Sequence, residues 1–179
     1  MARHDLVSTH DPLSPLTPGG HVRAPVRLVL HEPEIPQNTG SIARLCAATR
    51  TALHVVEPAA FDLSSSKLKR AGLDYWPHVE MFAHGSWSEL EALINRTGGR
   101  IVVTSKKTGV SYAEYDFEAG DWIVMGKETK GLPDHMLSRY QEQAVRIPIY
   151  AENVRSLNLA NAASIILYEA LRKTGGLPG

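Results

Sequence analysis

Two short stretches of this chain, Ile101–Thr104 and Trp122–Met125, are apolar at almost every position. Strands with one solvated face alternate apolar and polar residues, whereas continuous apolar runs are typical of strands buried on both faces. Similar short apolar segments recur between helical stretches, at residues 26–30, 53–56, 79–82 and 144–147. Because strands alternate with helices along the chain, we predict an α/β fold, a mostly parallel sheet flanked by helices.

The predicted helices rest on apolar residues three and four positions apart and on residues that cap helix ends. Ser86 is expected to cap one helix, with Glu89 completing a capping box, and Asn38 is expected to cap another. The clearest apolar stripe belongs to the last helix: Leu159, Ala162, Ala163, Ile166, Leu167, Ala170 and Leu171. Helices are predicted at residues 38–48, 64–70 (ended by Gly72), 86–95, 134–139 and from about 159 onward.

The composition fits one ordinary domain of 179 residues. Lysine plus arginine equals aspartate plus glutamate, 19 each, which excludes a uniformly basic surface but allows a local basic patch. Residues 1–25 are rich in proline and glycine, so we predict a flexible N-terminal tail followed by a single domain over residues 26–179. Without a long apolar run or an apolar signal sequence, a cytoplasmic protein with no membrane span is expected.

A dense group of polar residues precedes the last helix: Glu152, Asn153, Arg155, Ser156 and Asn158. Ser156 or Asn158 can cap that helix, because a side-chain oxygen there satisfies a free backbone N–H. A cap accounts for one such residue only, so the others suggest a ligand rich in acceptor atoms at the helix start. A solvated connection between strand and helix is the alternative interpretation.

A second polar loop, residues 126–133, follows the buried strand Trp122–Met125. It is expected at the carboxyl edge of the sheet, where α/β proteins bind ligands. Gly126 and Gly131 permit a close backbone approach or a positive φ angle. The loop is not a P-loop, since Glu128 stands where that motif needs serine or threonine. A glycine-bounded turn with charged surface residues is the alternative.

Other kinds of site have no support in the sequence. The eight histidines show no metal-ligand spacing, and no serine lies in the G-x-S-x-G motif of α/β hydrolases, so no metal and no hydrolase triad are predicted. Basic residues gather in and after the first predicted helix: Arg44, Arg50, Lys67, Lys69 and Arg70. They would form a phosphate-binding patch only if the fold brings them beside the polar loops.

Three blocks occur together and in order: residues 32–40 with Arg44, residues 126–133, and residues 147–158. On the basis of these three blocks, residues 26–173 resemble the SPOUT class of RNA methyltransferases. The chain is most similar to the small single-domain enzymes that methylate the ribose 2′-oxygen of the wobble nucleotide, position 34, in the anticodon stem-loop of tRNA. Residues 53–58 and 70–75 match the same subfamily. The resemblance implies a C-terminal trefoil knot, a feature that is rare among protein folds.

The resemblance also implies a cofactor, S-adenosylmethionine, and a set of site residues. The cofactor-binding residues would be Val103, Thr104, Gly126, Ile147 and Ser156. The catalytic and supporting polar residues would be Arg44, Asn38, Glu128, Ser156 and Asn158. Backbone groups at strand ends can recognise the adenine edge, while apolar walls hold its ring.

The implied reaction is an in-line displacement, in which a ribose 2′-hydroxyl attacks the sulfonium methyl group and a neutral thioether leaves. Because positive charge is lost, the site needs positioning more than it needs stabilisation of an anion. The resemblance implies that Arg44 points toward this hydroxyl and helps to remove its proton, although arginine ordinarily stays protonated. Either burial makes Arg44 unusually acidic, or Arg44 orients the hydroxyl while an RNA phosphate or water accepts the proton. Glu128 and Asn38 are expected to hold Arg44 or the ribose in register.

Members of the family are homodimers with the active site near the interface. The apolar stripe of the last helix has seven residues, more than one sheet face needs, and Tyr168 is predicted at the dimer contact. The alternative is that all seven residues simply cover the sheet. Lys127 and Lys130 stand where relatives often carry proline and arginine, which bears on substrate preference. Two alternatives remain: a methyltransferase acting on ribosomal RNA, and a non-catalytic RNA-binding module of the same fold. The short proline-rich N-terminus disfavours the first, and the presence of Arg44 and Asn38 disfavours the second.

Overall fold

The computed structural model describes residues 7–63 and 75–178. Its strands are β1 (Arg27–His31), β2 (Leu53–Val56), β3 (Met81–His84), β4 (Ile101–Thr104), β5 (Val110–Ser111), β6 (Trp122–Met125) and β7 (Ala144–Arg146). Within the described residues they form one parallel sheet in the order β3–β2–β1–β6–β4–β7–β5. The predicted α/β architecture with a parallel sheet is therefore confirmed.

Helices cover both faces of this sheet. They are α1 (Pro36–Thr49), α2 (Trp87–Thr97), α3 (Asp134–Arg139) and α4 (Leu159–Lys173), with short 3₁₀ turns at Trp76–His78 and Gln141–Gln143. One core layer joins α1 and α4 to the sheet, and a second joins α2 and α3 to the opposite face. No helix in the described part of the chain is long and apolar enough to cross a bilayer.

Most elements lie where the sequence predicts them. The bounds of β2, β4, β6 and α3 match, while β3 begins two residues later than expected. The two-residue strand β5 was not predicted, because Val110 and Ser111 are not buried and give no apolar signal. The predicted helix at residues 64–70 and Gly72 lie outside the described residues.

The start of α1 differs from the prediction. Asn38 does not cap this helix, which begins two residues earlier at Pro36, a residue well suited to the first helical position. The backbone N–H groups of Glu34 and Ile35 instead donate to the carboxylate of Glu128, at 2.8 and 3.1 Å. A negative charge from a distant loop thus occupies the positive end of the helix.

The other two predicted caps are present. Ser86 accepts a hydrogen bond from the N–H of Glu89, and the carboxylate of Glu89 accepts from Gly85 rather than from Ser86. Asn158 caps α4, where its Oδ1 accepts from the N–H of Ala160 at 2.9 Å.

Residues 7–25 are packed on the domain, contrary to the predicted flexible tail. The N–H of Ser8 donates to the carbonyl of Met81 at the edge strand β3, and Leu16 forms an antiparallel bridge with Val22. Arg23 is buried, and its Nε lies 2.8 Å from Oε2 of Glu80. A buried ion pair requires close packing around both groups, so this part of the chain is built into the structure.

Candidate functional site

A cavity of about 500 Å³ opens at the carboxyl edge of the sheet, where β4, β6 and β7 end. The loop after β6, the segment after β7 and the first turns of α1 and α4 enclose it. Four of the five predicted cofactor-binding residues line it: Thr104, Gly126, Ile147 and Ser156. Three further residues predicted as catalytic also line it: Asn38, Glu128 and Asn158. The fold therefore brings the three separate sequence blocks to one cavity.

Two predicted site residues do not line this cavity. The side chain of Val103 is fully buried in the core layer beneath α2, because successive residues of a strand point to opposite faces and Thr104 takes the other side. Arg44 is exposed on α1, and its guanidinium carbon lies 5.4 Å from the centre of the Tyr75 ring.

The loop after β6 is held tightly against itself. Lys127 and Gly131 exchange backbone hydrogen bonds of 3.2 and 2.9 Å, and Gly131 has a φ angle of 73°. A Cβ atom added at Gly126 would lie only 2.2 Å from the backbone nitrogen of Leu132. Both glycines are thus required, one for a close backbone approach and the other for a left-handed conformation.

Three polar side chains form a linear network at the cavity wall. Nδ2 of Asn158 donates to Oδ1 of Asn38 at 2.9 Å, and Nδ2 of Asn38 donates to Oε1 of Glu128 at 3.1 Å. A carboxylate only accepts, so Asn38 must present its amide nitrogen to Glu128 and its oxygen to Asn158. The orientation of both asparagine amides follows from this network.

Of the two roles expected for Glu128 and Asn38, holding Arg44 or holding the ribose in register, the first is not observed, because Arg44 is not part of the network. Asn38 and Arg44 are six positions apart on α1, about 240° around the helix axis, so their side chains leave the helix in different directions. The carboxylate of Glu128 is occupied by two backbone N–H groups and by Asn38. Within one protomer, Arg44 and the network therefore lie on different sides of α1.

A second set of contacts, which no sequence pattern predicted, joins the loops after β1 and β6. The carboxylate of Glu34 accepts from the backbone N–H and the hydroxyl of Thr129, at 3.0 and 2.8 Å, and these bonds lower the pKa of Glu34. Nζ of Lys127 lies 2.5 Å from Oε2 of Glu32, and this partner raises the pKa of Lys127. Since β1 and β6 are neighbours in the sheet, their following loops adjoin.

Lysines that were not predicted as site residues also line the cavity. Lys106 and Lys107 follow Ser105 after the end of β4, and Lys130, predicted only to bear on substrate preference, lies on the loop after β6. Their signal in the sequence was their position after a buried strand, where ligand sites of α/β proteins occur. Among the described residues, the lining holds these three lysines and Lys127 against two carboxylates, Glu128 and Asp134, so positive charge predominates.

Solved structures with similar folds include one described as giving insights into the 2-OH methylation of C/U34 on tRNA. It matches with a TM-score of 0.79 and 44% sequence identity, and the match covers 85% of this chain and 97% of that one. The AdoMet-bound rRNA methyltransferase of Sinorhizobium meliloti matches with a TM-score of 0.72 and 26% identity, covering 82% of this chain and 56% of that one. Sheet order, cavity and these similarities define the α/β knot fold of the SPOUT class, as predicted.

Sequence comparison gives the same result at a finer level. A tRNA (cytidine(34)-2'-O)-methyltransferase of Methylovorus glucosotrophus is 44% identical over 147 residues, covering 82% of this chain and 94% of that protein. Residues 25–168 match the model of the SpoU rRNA Methylase family. The chain belongs to this family of methyltransferases.

Proposed function

We propose that this protein transfers a methyl group from S-adenosylmethionine to the ribose 2′-oxygen of nucleotide 34, a cytidine or modified uridine, in the anticodon stem-loop of tRNA. The observation that carries the proposal is the cavity in which Gly126 and Ser156 lie together with the network of Asn158, Asn38 and Glu128. The 44% identity to a relative of that name, over nearly its whole length, supports the choice of substrate.

The cavity has the size and the lining that such a cofactor needs. Ligand pockets typically measure about 300–1,000 Å³, with apolar walls and a few polar groups. Leu132, Leu137 and Ile166 supply an apolar wall here, and Gly126 lets the loop after β6 close against its own backbone at the cavity edge. The predicted residues that would hold the cofactor are Thr104, Gly126, Ile147 and Ser156, which all line the cavity. When bound, the cofactor supplies a methyl group carried on a positively charged sulfur.

The network residues act by positioning. Within the described part of the chain, the donors that reach Glu128 are three N–H groups, so its carboxylate is engaged in fixing the start of α1 and Asn38. Asn158 uses its oxygen to cap α4 and its nitrogen to bind Asn38. The loops on either side of the cavity are thereby held at a fixed separation, as alignment of a nucleophile with a methyl group demands.

A homodimer is part of the proposal. Apolar side chains are exposed next to the cavity, at Ile35, Val154 and Leu157, and Tyr168 on α4 is 47% exposed. Clustered exposed apolar groups commonly mark protein interfaces. One protomer alone does not supply Arg44 to its own cavity, and we propose that the second copy supplies it. The compartment in which we expect this dimer to work is the cytoplasm.

Methyl transfer from labelled S-adenosylmethionine to unmodified tRNA, with nuclease mapping of the product, tests the proposal. We expect one label per tRNA, at the ribose of nucleotide 34. Label found only in ribosomal RNA would support the alternative substrate instead. No label in any RNA, despite measurable RNA binding, would support a binding module without catalytic activity.

A further inference from the structure

A second cavity, of about 800 Å³, lies near the opposite end of α1 from the first. Residues 7–21 form one wall, the C-terminal turn of α1 another, and residues 76–80 a third. The first cavity contacts α1 at Asn38 and the second at Ala47, nine residues further on, or about 14 Å along the helix axis. The wall formed by residues 7–21 precedes the region that matches the family, residues 25–168.

The polar lining of this second cavity is rich in hydrogen-bond donors. Arg50 and three histidines contribute to it: His10, His21 and His78. Within the described residues, no hydrogen bond or ion pair occupies these four side chains. The lining contains a single carboxylate, Glu80, and both of its oxygens are bound by Arg23.

This chemistry fits an anion more closely than it fits a metal ion. Among the described residues, no three metal-binding side chains are grouped closely enough to hold a metal. The carbonyls of Cys46 and Ala47 at the end of α1 accept hydrogen bonds from the N–H groups of Thr51 and Arg50, so they do not present free acceptors to a ligand. Guanidinium and imidazole donors that have no acceptor of their own can bind phosphate oxygens.

An aromatic ring adds a second recognition element. Trp76 lines the cavity, and its neighbour Tyr75 packs against the guanidinium of Arg44 on α1. Trp76 is partly buried against the core and partly accessible from the cavity. A phosphate-binding cluster beside an accessible aromatic ring is an arrangement with which proteins bind a nucleotide of an RNA strand.

The surface between the two cavities carries no carboxylate on α1. The exposed row of that helix consists of Gln37, Ser41, Arg44 and Ala48, and it ends at Arg50. An RNA backbone that leaves the first cavity can therefore follow α1 without meeting like charge from this helix. In a chain with zero net charge, a local basic path of this kind is what RNA affinity requires.

We propose that the second cavity binds a backbone phosphate and the adjoining nucleoside of the substrate tRNA, in the anticodon stem-loop but outside the methylated nucleotide. Arg50, His21 and His78 hold the phosphate, and Trp76 lies against the nucleoside. Residues 7–21 thereby act as an added RNA-binding wall on the family domain. This proposal rests on the proposed function, because it takes the same tRNA as the ligand.

The test compares Arg50→Gln/His21→Gln with the wild-type protein and with Arg96→Gln. Arg96 is an exposed arginine in the last turn of α2 and serves as a matched loss of positive charge away from both cavities. For the double variant we expect the KM for tRNA to rise about 10-fold with kcat unchanged. The slope of log affinity against log salt should fall by about one, as loss of one phosphate contact predicts. The Arg96→Gln protein should match the wild type.

A double variant with wild-type KM and salt slope would overturn the proposal, provided its thermal unfolding matches that of the wild type. Equilibrium dialysis with adenosine monophosphate, in saturating S-adenosylmethionine so that the first cavity is filled, distinguishes the source of the phosphate. Displacement of adenosine monophosphate by tRNA would support RNA as the ligand of the second cavity. Unchanged binding of adenosine monophosphate at saturating tRNA would overturn the proposal that this cavity binds tRNA. If the wild-type protein binds tRNA but methylates none, the proposed function fails, while weaker tRNA binding by the double variant still supports this second contact.

Discussion

The side chains of Asn158 and Asn38 are joined by a hydrogen bond of 2.9 Å from Nδ2 to Oδ1, although 120 positions separate them in the chain. This bond connects the start of α4 to the first turn of α1. Through Asn38 it continues to Glu128 on the loop after β6. Three loops that form one cavity are therefore coupled by three side chains.

Replacing Asn158 separates its two roles. Asn158→Ser keeps an oxygen that can cap α4 but is too short to reach Asn38, whereas Asn158→Ala loses both interactions. We expect both variants to methylate tRNA at least 10-fold more slowly in single turnover. Only Asn158→Ala should lose about 1 kcal/mol of stability, the usual contribution of a cap. Denaturant unfolding measures this difference, and wild-type turnover by Asn158→Ser would contradict a positioning role for the bond.

Gly126→Ala places a methyl group against backbone atoms that have little room to move. The added Cβ would lie 2.2 Å from the nitrogen of Leu132, so the loop after β6 must shift. We expect a loss of about 1–3 kcal/mol in stability, as for other overpacked sites, and at least 10-fold weaker binding of S-adenosylmethionine by calorimetry. Gly85→Ala is the control, since a Cβ there would meet only the end of the Glu89 side chain, at 3.4 Å.

Arg44→Ala is expected to abolish methyl transfer while cofactor affinity changes less than twofold. The reason is that Arg44 lies outside the cavity lining of its own protomer, so it has no contact with the cofactor to lose. Isothermal calorimetry and single-turnover assays measure the two properties separately. Arg44→Lys keeps the charge but not the planar guanidinium, and it should recover little activity. Loss of cofactor binding in Arg44→Ala would assign this residue a different role.

Tyr168→Glu should dissociate the proposed dimer. The side chain is 47% exposed on α4, so a charge placed there costs little in one protomer but is unfavourable in an apolar interface. Sedimentation velocity at micromolar concentration should show a dimer for the wild type and a monomer for the variant. Glu152→Gln, an exposed change on the preceding loop, should remain dimeric. A monomeric wild-type protein would contradict the dimer itself.

The buried histidine pair of β2 and β3 predicts how stability depends on pH. Nδ1 of His54 lies 2.9 Å from Nε2 of His84, and burial lowers the pKa of both imidazoles, that of His54 most strongly. The unfolded chain therefore binds more protons than the folded chain once the pH falls below about 6.5, the ordinary histidine value. Stability should be complete above that pH and should decrease as the pH is lowered.

Denaturant unfolding between pH 7.5 and 5.0 tests this dependence. His54→Asn removes one of the two groups, and it should reduce the slope by up to about 1.4 kcal/mol per pH unit. His135→Asn, an exposed histidine on α3, serves as the control and should leave the slope nearly unchanged. An unchanged slope in His54→Asn would mean that this pair does not cause the dependence.

The amino-acid sequence by itself determined the class of fold and the positions of most strands and helices. Continuous apolar runs predicted the bounds of β4 and β6, and apolar spacing predicted the inward face of α4, because burial on one or both faces sets which consecutive residues are apolar. The same signal was absent for β5, which is short and not buried. The glycine requirements at Gly126 and Gly131 were also predictable, since few other residues permit such backbones.

Only the tertiary structure decided which distant residues meet. The strand order β1–β6–β4–β7 places loops side by side that are far apart in the chain, and so Glu128 rather than Asn38 occupies the start of α1. The tertiary structure also packs Arg23 against Glu80, 57 positions away. Periodicity reports which face of an element is buried, but contacts between elements depend on the order in which strands pair, which no local pattern specifies.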